Sequence, residues 1–150
     1  MKTIFDKETR EDLIKRINNL PEHNTAQWGK MNIYQMVKHN CIWNAWILGK
    51  IDMGSKQGFL GYIFGKKALK SLIGDERPMK KNMPAGSQFT VKEKSGDLTL
   101  QKKIWAELLE GYENFSNHGF VHDFFGKMTK EEIGLLAYKH TDHHLRQFNA

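Results

Sequence analysis

The sequence predicts an all-α fold, a single domain over residues 1–150 in which four helices form a bundle with a long crossover between the second and third. Three observations predict it. Apolar residues recur at helical spacing in four segments, three of which begin at residues that commonly cap helices. No segment shows the convincing alternation of apolar and polar residues that a half-buried strand needs. The long polar stretch in the middle excludes a simple up-down-up-down bundle.

The first two helices are predicted from their start and stop residues. Asp6 begins the first helix, whose apolar stripe runs to Leu20, and Pro21 follows directly. Asn32 and Gln35 have the spacing of a reciprocal cap, and the apolar stripe that follows them continues to the glycine at position 49.

The rest of the chain is predicted to form the crossover and the last two helices. Residues 55–73, rich in glycine, aromatics and then lysine, leave open whether they form one short helix or two, and residues 75–96 have the composition of a loop with a short extended piece at 87–91. The third helix begins near Asp97 and ends at residues 117–119. Thr129 and Glu132 form a capping box, which predicts a fourth helix from about residue 130 to the end of the chain.

Basic charge is concentrated in the crossover. Residues 56–103 hold 11 of the 23 Lys and Arg residues against 4 acidic residues, and the net charge is +6. No motif that reads nucleic acid accompanies this charge, so no specific nucleic-acid partner is expected. Two interpretations stay open: a solvated surface, or a positive region at the opening of a site, formed by Lys66, Lys67 or Arg77, that attracts a small anionic substrate such as an anionic thiol.

The expected location is the cytoplasm. The N-terminal residues lack the pattern of a secretory signal, no apolar run reaches the length of a membrane span, and Cys41 is the single cysteine. Cys41 is expected to be a small buried apolar residue. Peripheral attachment of residues 58–73 to a bilayer is an alternative, but the same segment can cover one end of the bundle, so no stable membrane association is expected.

Three histidines are candidate metal ligands. His140 and His144, four residues apart, lie at the centre of the apolar face of the fourth helix, with about 5–6 Å between their Cβ atoms. His39 faces inward from the second helix. One such histidine alone is more commonly a hydrogen-bonded core residue, but burying three imidazoles without partners costs about 1–3 kcal/mol each, which a shared cation removes. His143 falls at the edge of the stripe and Asp142 points away, so neither is chosen.

Three neutral imidazoles suit a divalent transition metal. Zinc, nickel, copper and iron all accept imidazole nitrogen, so the ligand type alone does not choose among them, and zinc and nickel are taken as the first candidates. Such a site keeps a coordination position open for water or substrate, which is typical of catalytic centres. The ion would lower the pKa of bound water to about 7 or convert a bound thiol to thiolate. No Glu follows either ligand of the pair as it does in a His-Glu-x-x-His protease helix, which argues against peptidase chemistry.

Three stretches of sequence carry a family resemblance. They are Trp28-Gly29-Lys30-Met31 through Gln35-Met36 to His39, then His122-Asp123-Phe124-Phe125-Gly126, then Tyr138-Lys139-His140 through His143-His144-Leu145-Arg146-Gln147-Phe148. Together they resemble an uncharacterised branch of the DinB superfamily over most of the chain, least between residues 50 and 96. The resemblance implies an up-down-down-up bundle and a metal bound by the residues that match His39, His140 and His144. Some relatives are thiol-dependent transferases or isomerases.

Further residues are candidates around this site. Asp123 stands where the branch has proline, in a His-Pro-Phe-Phe-Gly pattern. His122 either orients substrate at the mouth of the site or is an exposed loop histidine. Gln147, and either Asn40 or Asn44, are expected to make hydrogen bonds that orient the ligands, or else to make ordinary polar contacts in the core.

The leading hypothesis is a metal-dependent enzyme, a thiol transferase or hydrolase, that activates a thiol or water against a small electrophilic or hydrolysable substrate. The alternative is a non-catalytic, stress-related protein that binds a metal or small ligand. An apolar face left over by the four helices would favour a homodimer.

Overall fold

The computed structural model describes residues 1–54, 56–83 and 86–150, and it confirms the all-α prediction for them. Five α-helices follow one another: α1 Lys7–Asn18, α2 Ile33–Ile47, α3 Phe59–Ile73, α4 Leu98–Glu110 and α5 Lys130–Gln147. Two short strands, β1 Val121–His122 and β2 Gly126–Lys127, pair as an antiparallel hairpin between α4 and α5. Across these described ranges, no helix has both the length and the apolar character that crossing a membrane requires.

Reciprocal caps fix where α2 and α5 begin. The Asn32 side chain accepts the backbone N–H of Gln35 at 2.9 Å, and the Gln35 side chain accepts the N–H of Asn32 at 3.1 Å. Thr129 and Glu132 make the same pair of bonds at the start of α5. These bonds satisfy amide groups that the first turn of a helix leaves without partners. The caps therefore set the positions of the histidines that α2 and α5 carry.

The loops depart from the sequence prediction in two places. Ser87–Phe89 forms a turn of 3₁₀ helix instead of the extended piece expected at 87–91, and this turn buries the Phe89 side chain. The third predicted helix ends at Glu110, earlier than expected, and a 3₁₀ turn over Gly111–Asn114 follows it. The crossover positions Ser55 and Pro84, included in the sequence prediction, lie outside the described residues.

The core lies where α4 packs on α1 and α2, and where α5 packs on α1, α2 and α3. Trp43, Trp46 and Trp105 are all buried in it, and side chains of this size bury large apolar areas. Cys41 is also buried, as expected, and burial raises the pKa of its thiol to about 12. That pKa makes Cys41 unsuitable as a nucleophile.

Two glycines let α3 pack closely against the hairpin. Gly61 and Gly65 lie one turn apart against the backbone of Phe124 in the hairpin, and a Cβ on either glycine would overlap the Phe124 carbonyl oxygen. Leu69 and Ile73 continue this buried face toward the end of the helix. The inward face of the first half of α3 is therefore made of residues with no side chain.

Replacing Gly65 by alanine is expected to lower the free energy of unfolding by about 1–3 kcal/mol, because the new methyl group forces α3 away from the hairpin. The usual gain of helix propensity from Gly to Ala, about 1 kcal/mol, does not offset this overlap with a backbone atom. Gly119→Ala is the control, since a Cβ there meets no atom within 4 Å. Urea unfolding measures both variants. A Gly65→Ala protein as stable as the parent would contradict this account of how α3 is held.

Candidate metal centre

The three predicted histidines come together in the structure. His39 of α2 and the pair His140 and His144 of α5 each place one ring nitrogen within 4.8 Å of the others. The Nε2 atoms of His39 and His140 are 3.3 Å apart. His39 is 3% exposed and His144 7% exposed, and His140 is partly buried beside them. Among the described residues, no carboxylate or thiol joins this group.

Hydrogen bonds fix the tautomers of two of the rings. His39 Nδ1 lies 3.0 Å from the Phe89 carbonyl oxygen, and His144 Nδ1 lies 2.9 Å from the Gln147 side-chain oxygen. A carbonyl or amide oxygen only accepts, so both Nδ1 atoms carry a hydrogen and donate it. Their Nε2 atoms are then left with a lone pair, which is the form of imidazole that binds a metal.

Gln147 is held in place from its other end. Its side-chain nitrogen donates to the Trp28 carbonyl oxygen at 2.7 Å. Gly29, with a φ of 82°, packs directly against this amide, and a side chain at that position would overlap it. The Trp28-Gly29 stretch therefore positions the group that orients His144.

His140 has no such partner. Its Nδ1 is buried without a hydrogen bond to any described residue, and its ring stacks on Trp43 with the centroids 4.1 Å apart. Because Nε2 of His39 and of His144 are both unprotonated, only His140 can supply a hydrogen to the space between the rings. One hydrogen cannot satisfy the two buried lone pairs on His39 and His144. A cation, by contrast, can bind one lone pair from each of the three rings. The donor set therefore fits a metal ion.

Burial lowers the pKa of all three histidines. The pKa values of His140 and His144 lie well below the ordinary 6.5, first because the rings are removed from water and then because neighbouring histidines disfavour added positive charge. Burial also lowers the pKa of His39, partly offset by its hydrogen bond to Phe89. All three rings are thus neutral at pH 7, as metal binding requires.

The neighbouring residues Asp142 and His143 stay outside the cluster. Asp142 is buried on another side of α5, where it accepts hydrogen bonds from Arg16 at 2.8 Å and Arg146 at 2.6 Å. His143 packs against Trp28, with 5.5 Å between the ring centroids. Neither belongs to the group of converging nitrogens, which agrees with the choice of His144.

His122 is buried, so the alternative of an exposed loop histidine is wrong. Its ring lies between Trp46 and Phe125, with centroid distances of 5.0 and 4.5 Å. Its Nδ1 is 3.1 Å from the backbone nitrogen of Phe124 and 2.8 Å from a carboxylate oxygen of Asp123. His122 thus contacts its own hairpin and Trp46.

Asp123 holds the hairpin by hydrogen bonds. Its carboxylate contacts His122 and accepts a bond from Gln88, and its carbonyl oxygen accepts the N–H of Gly58 at 2.9 Å. The bond with His122 is the main reason that the pKa of Asp123 is lowered. The hairpin is therefore tied both to the crossover and to the start of α3.

The two candidate asparagines make core contacts. Asn40 donates to the Met36 carbonyl oxygen at 2.9 Å, and Asn44 donates to the Asn40 carbonyl oxygen at 2.8 Å and accepts from Tyr112 at 2.8 Å. Of the polar residues considered around the ligands, Gln147 is the one that the structure bonds to a histidine, and that histidine is His144.

Of the basic residues expected at the opening of the site, Lys66 contacts Glu132 at 3.4 Å and the Lys127 carbonyl oxygen, near the start of α5. Glu132 precedes His140 by eight residues, about 12 Å along a helix. Arg77 is exposed and pairs with Asp75.

The sequence did not predict the Phe89 carbonyl group as the acceptor for His39 Nδ1. A backbone acceptor has no signature in the sequence.

Comparison with protein-family models, curated proteins and solved structures finds no match to this chain. The resemblance to the DinB superfamily thus stays a prediction. The evidence for a metal centre is the geometry of the three histidines and of the groups that orient them.

Replacing Gln147 by leucine is expected to weaken zinc binding about 10- to 100-fold, because His144 then loses the acceptor that fixes its tautomer. Gln101→Leu is the matched control, since the Gln101 side chain makes no hydrogen bond to the described residues and lies on α4. Calorimetric titration of the metal-free proteins with zinc measures the difference. Equal affinity in Gln147→Leu and in the parent would show that Gln147 does not support the site.

Proposed function

We propose that this protein is a metal-dependent enzyme of the DinB superfamily, with an up-down-down-up four-helix bundle, that binds one divalent transition metal through His39, His140 and His144. The observation that carries the proposal is the convergence of three neutral imidazoles, two of them held in the tautomer that leaves Nε2 free. Zinc and nickel are the first candidates, and both are kept because imidazole ligands alone do not separate the two metals.

Bound there, the ion would supply the Lewis acidity that converts a thiol to thiolate or water to hydroxide near pH 7. The chain contributes the orientation of the ligands. Phe89 and Gln147 each accept an Nδ1 hydrogen, which leaves a free lone pair on Nε2 of His39 and His144. Trp43 stacked on His140 and the buried Phe89 keep water away from the rings, which strengthens electrostatic interactions at the site.

The proposed substrate is a small molecule, with a thiol bearing a negative charge as the activated partner. One contact supports the negative charge. Lys81, in the basic crossover, lies 4.5 Å above the ring of Trp28, which packs against His143, the neighbour of a ligand. Lys81 thus brings positive charge to the end of α5 that carries the histidines. The cytoplasm, where thiols stay reduced, is the proposed location.

A second candidate function, non-catalytic binding of a metal or small ligand, is favoured by one observation. His39 and His144 are buried, and among the described residues no carboxylate lies within the cluster to act as a general base. Such a closed site would hold an ion without giving a substrate access to it.

Turnover by the metal-loaded protein separates the two. The zinc and nickel forms are each given a low-molecular-weight thiol with an electrophile such as 1-chloro-2,4-dinitrobenzene, and an activated ester such as p-nitrophenyl acetate. The enzyme proposal predicts a rate that depends on the metal and disappears in His140→Ala. Stoichiometric metal without turnover of any substrate would favour the binding protein.

A further inference from the structure

The outer face of α3 exposes an unusual amount of apolar surface. Five large apolar side chains within six positions are at least half exposed: Phe59 77%, Leu60 64%, Tyr62 79%, Ile63 52% and Phe64 55%. The expectation that this segment covers one end of the bundle is thus wrong for these residues, because its glycine face makes the contact instead. Contiguous exposed apolar surface of this kind marks a site of interaction.

The same face is positively charged. Residues 56–74 contain four lysines and no acidic residue. On a helical wheel Lys67 and Lys70 lie within about 40° of Ile63, so apolar and basic side chains share the outward side. Both lysines are exposed, and neither forms an ion pair with any residue that the structure describes.

An open cavity extends this charge toward α5. It has a volume of about 600 Å³, and four lysines line it: Lys66, Lys70, Lys127 and Lys130. Glu132 is the acidic residue among those that line it, and Lys66 already contacts that carboxylate at 3.4 Å. Phe115, Met128 and Ile133 add apolar surface. The surface next to α3 can therefore accept negatively charged groups.

We propose that the outer face of α3 docks on the surface of an anionic lipid bilayer. Phe59, Tyr62 and Phe64 enter the boundary between headgroups and acyl chains, and Lys67 and Lys70 contact the headgroups. The helix is already formed and attached through Gly61 and Gly65, so binding requires no folding of α3. This inference reverses the expectation that the protein makes no stable contact with membranes.

Charge decides between a bilayer and a second copy of the chain. A symmetric dimer through this face would bring two sets of lysines together, and α3 offers no acidic side chain to neutralise them. An anionic bilayer supplies both the opposite charge and an apolar layer.

Sedimentation with vesicles tests the proposal. The full chain is mixed with phosphatidylcholine vesicles with and without phosphatidylglycerol, at low and at physiological salt. The parent is expected to bind the phosphatidylglycerol vesicles in both salts. A protein with Phe59→Gln and Phe64→Gln should bind at least about tenfold more weakly, and one with Lys67→Gln and Lys70→Gln should lose the preference for phosphatidylglycerol.

Matched changes on α4 are the controls. Leu100 is 49% exposed, and Lys103 is an exposed lysine of the same helix. Leu100→Gln and Lys103→Gln should bind vesicles as the parent does, and thermal unfolding shows that every variant is folded. Failure of the parent to bind, or binding unaffected by the phenylalanine changes, would overturn the proposal. A parent dimer in sedimentation equilibrium that these changes convert to monomer would identify a second copy as the partner and overturn it as well.

Discussion

Replacing His140 by alanine is expected to lower metal affinity at least about 100-fold, and His39→Ala and His144→Ala are expected to do the same. Each change leaves two imidazoles, and among the described residues no other histidine, cysteine or acid lies close enough to replace the third. Zinc titration of protein purified without an affinity tag measures the loss. Circular dichroism shows whether the variants keep their helices.

Two other histidines are controls for that experiment. His23 and His118 are exposed, so alanine at either position should leave the affinity unchanged. If one of the three proposed ligands can be replaced without loss of metal, that histidine does not belong to the site.

Acid is expected to destabilise the metal-free protein steeply below pH 6.5. Burial keeps the pKa values of His39, His140 and His144 below the value of about 6.5 that they have in the unfolded chain. As the pH falls through 6.5, the unfolded chain takes up protons that the folded protein does not, so the free energy of unfolding decreases. Each ring contributes up to about 1.4 kcal/mol per pH unit, and the three together up to about 4.

Urea unfolding between pH 7.5 and 5.5, in the presence of a chelator, measures this slope. Alanine at one of the three positions should reduce it by up to about 1.4 kcal/mol per pH unit. Saturating zinc should raise stability at each pH, since it binds the folded protein. Stability that does not change between pH 7.5 and 5.5 would show that the rings are not buried as neutral groups.

Much of the fold could be predicted because its helix starts depend on local capping. Asn32 with Gln35 and Thr129 with Glu132 are visible in the sequence, and the structure begins α2 and α5 directly after Asn32 and Thr129. The extended piece at 87–91 was predicted wrongly, because burial of Phe89 against other elements decides the conformation there. Strands of two residues, as in the hairpin, are too short to give a periodic pattern.

That the three histidines meet could also be predicted from local sequence patterns. A spacing of four residues places His140 and His144 on one helix face, and the apolar stripe of α2 turns His39 inward. What the sequence does not contain is the set of contacts made across the fold. The Phe89 carbonyl group reaches His39 from the crossover, and Arg16 covers Asp142 from α1.

Anomalous diffraction from crystals of the zinc-loaded protein, measured at the zinc absorption edge, tests the metal centre most directly. We expect one strong peak per chain, at about 2.0–2.1 Å from Nε2 of His39, His140 and His144, with water or a small molecule as the remaining ligand. A peak at His23 or His118, or a fourth protein ligand that closes the site, would contradict the central claim that these three histidines form an open metal centre.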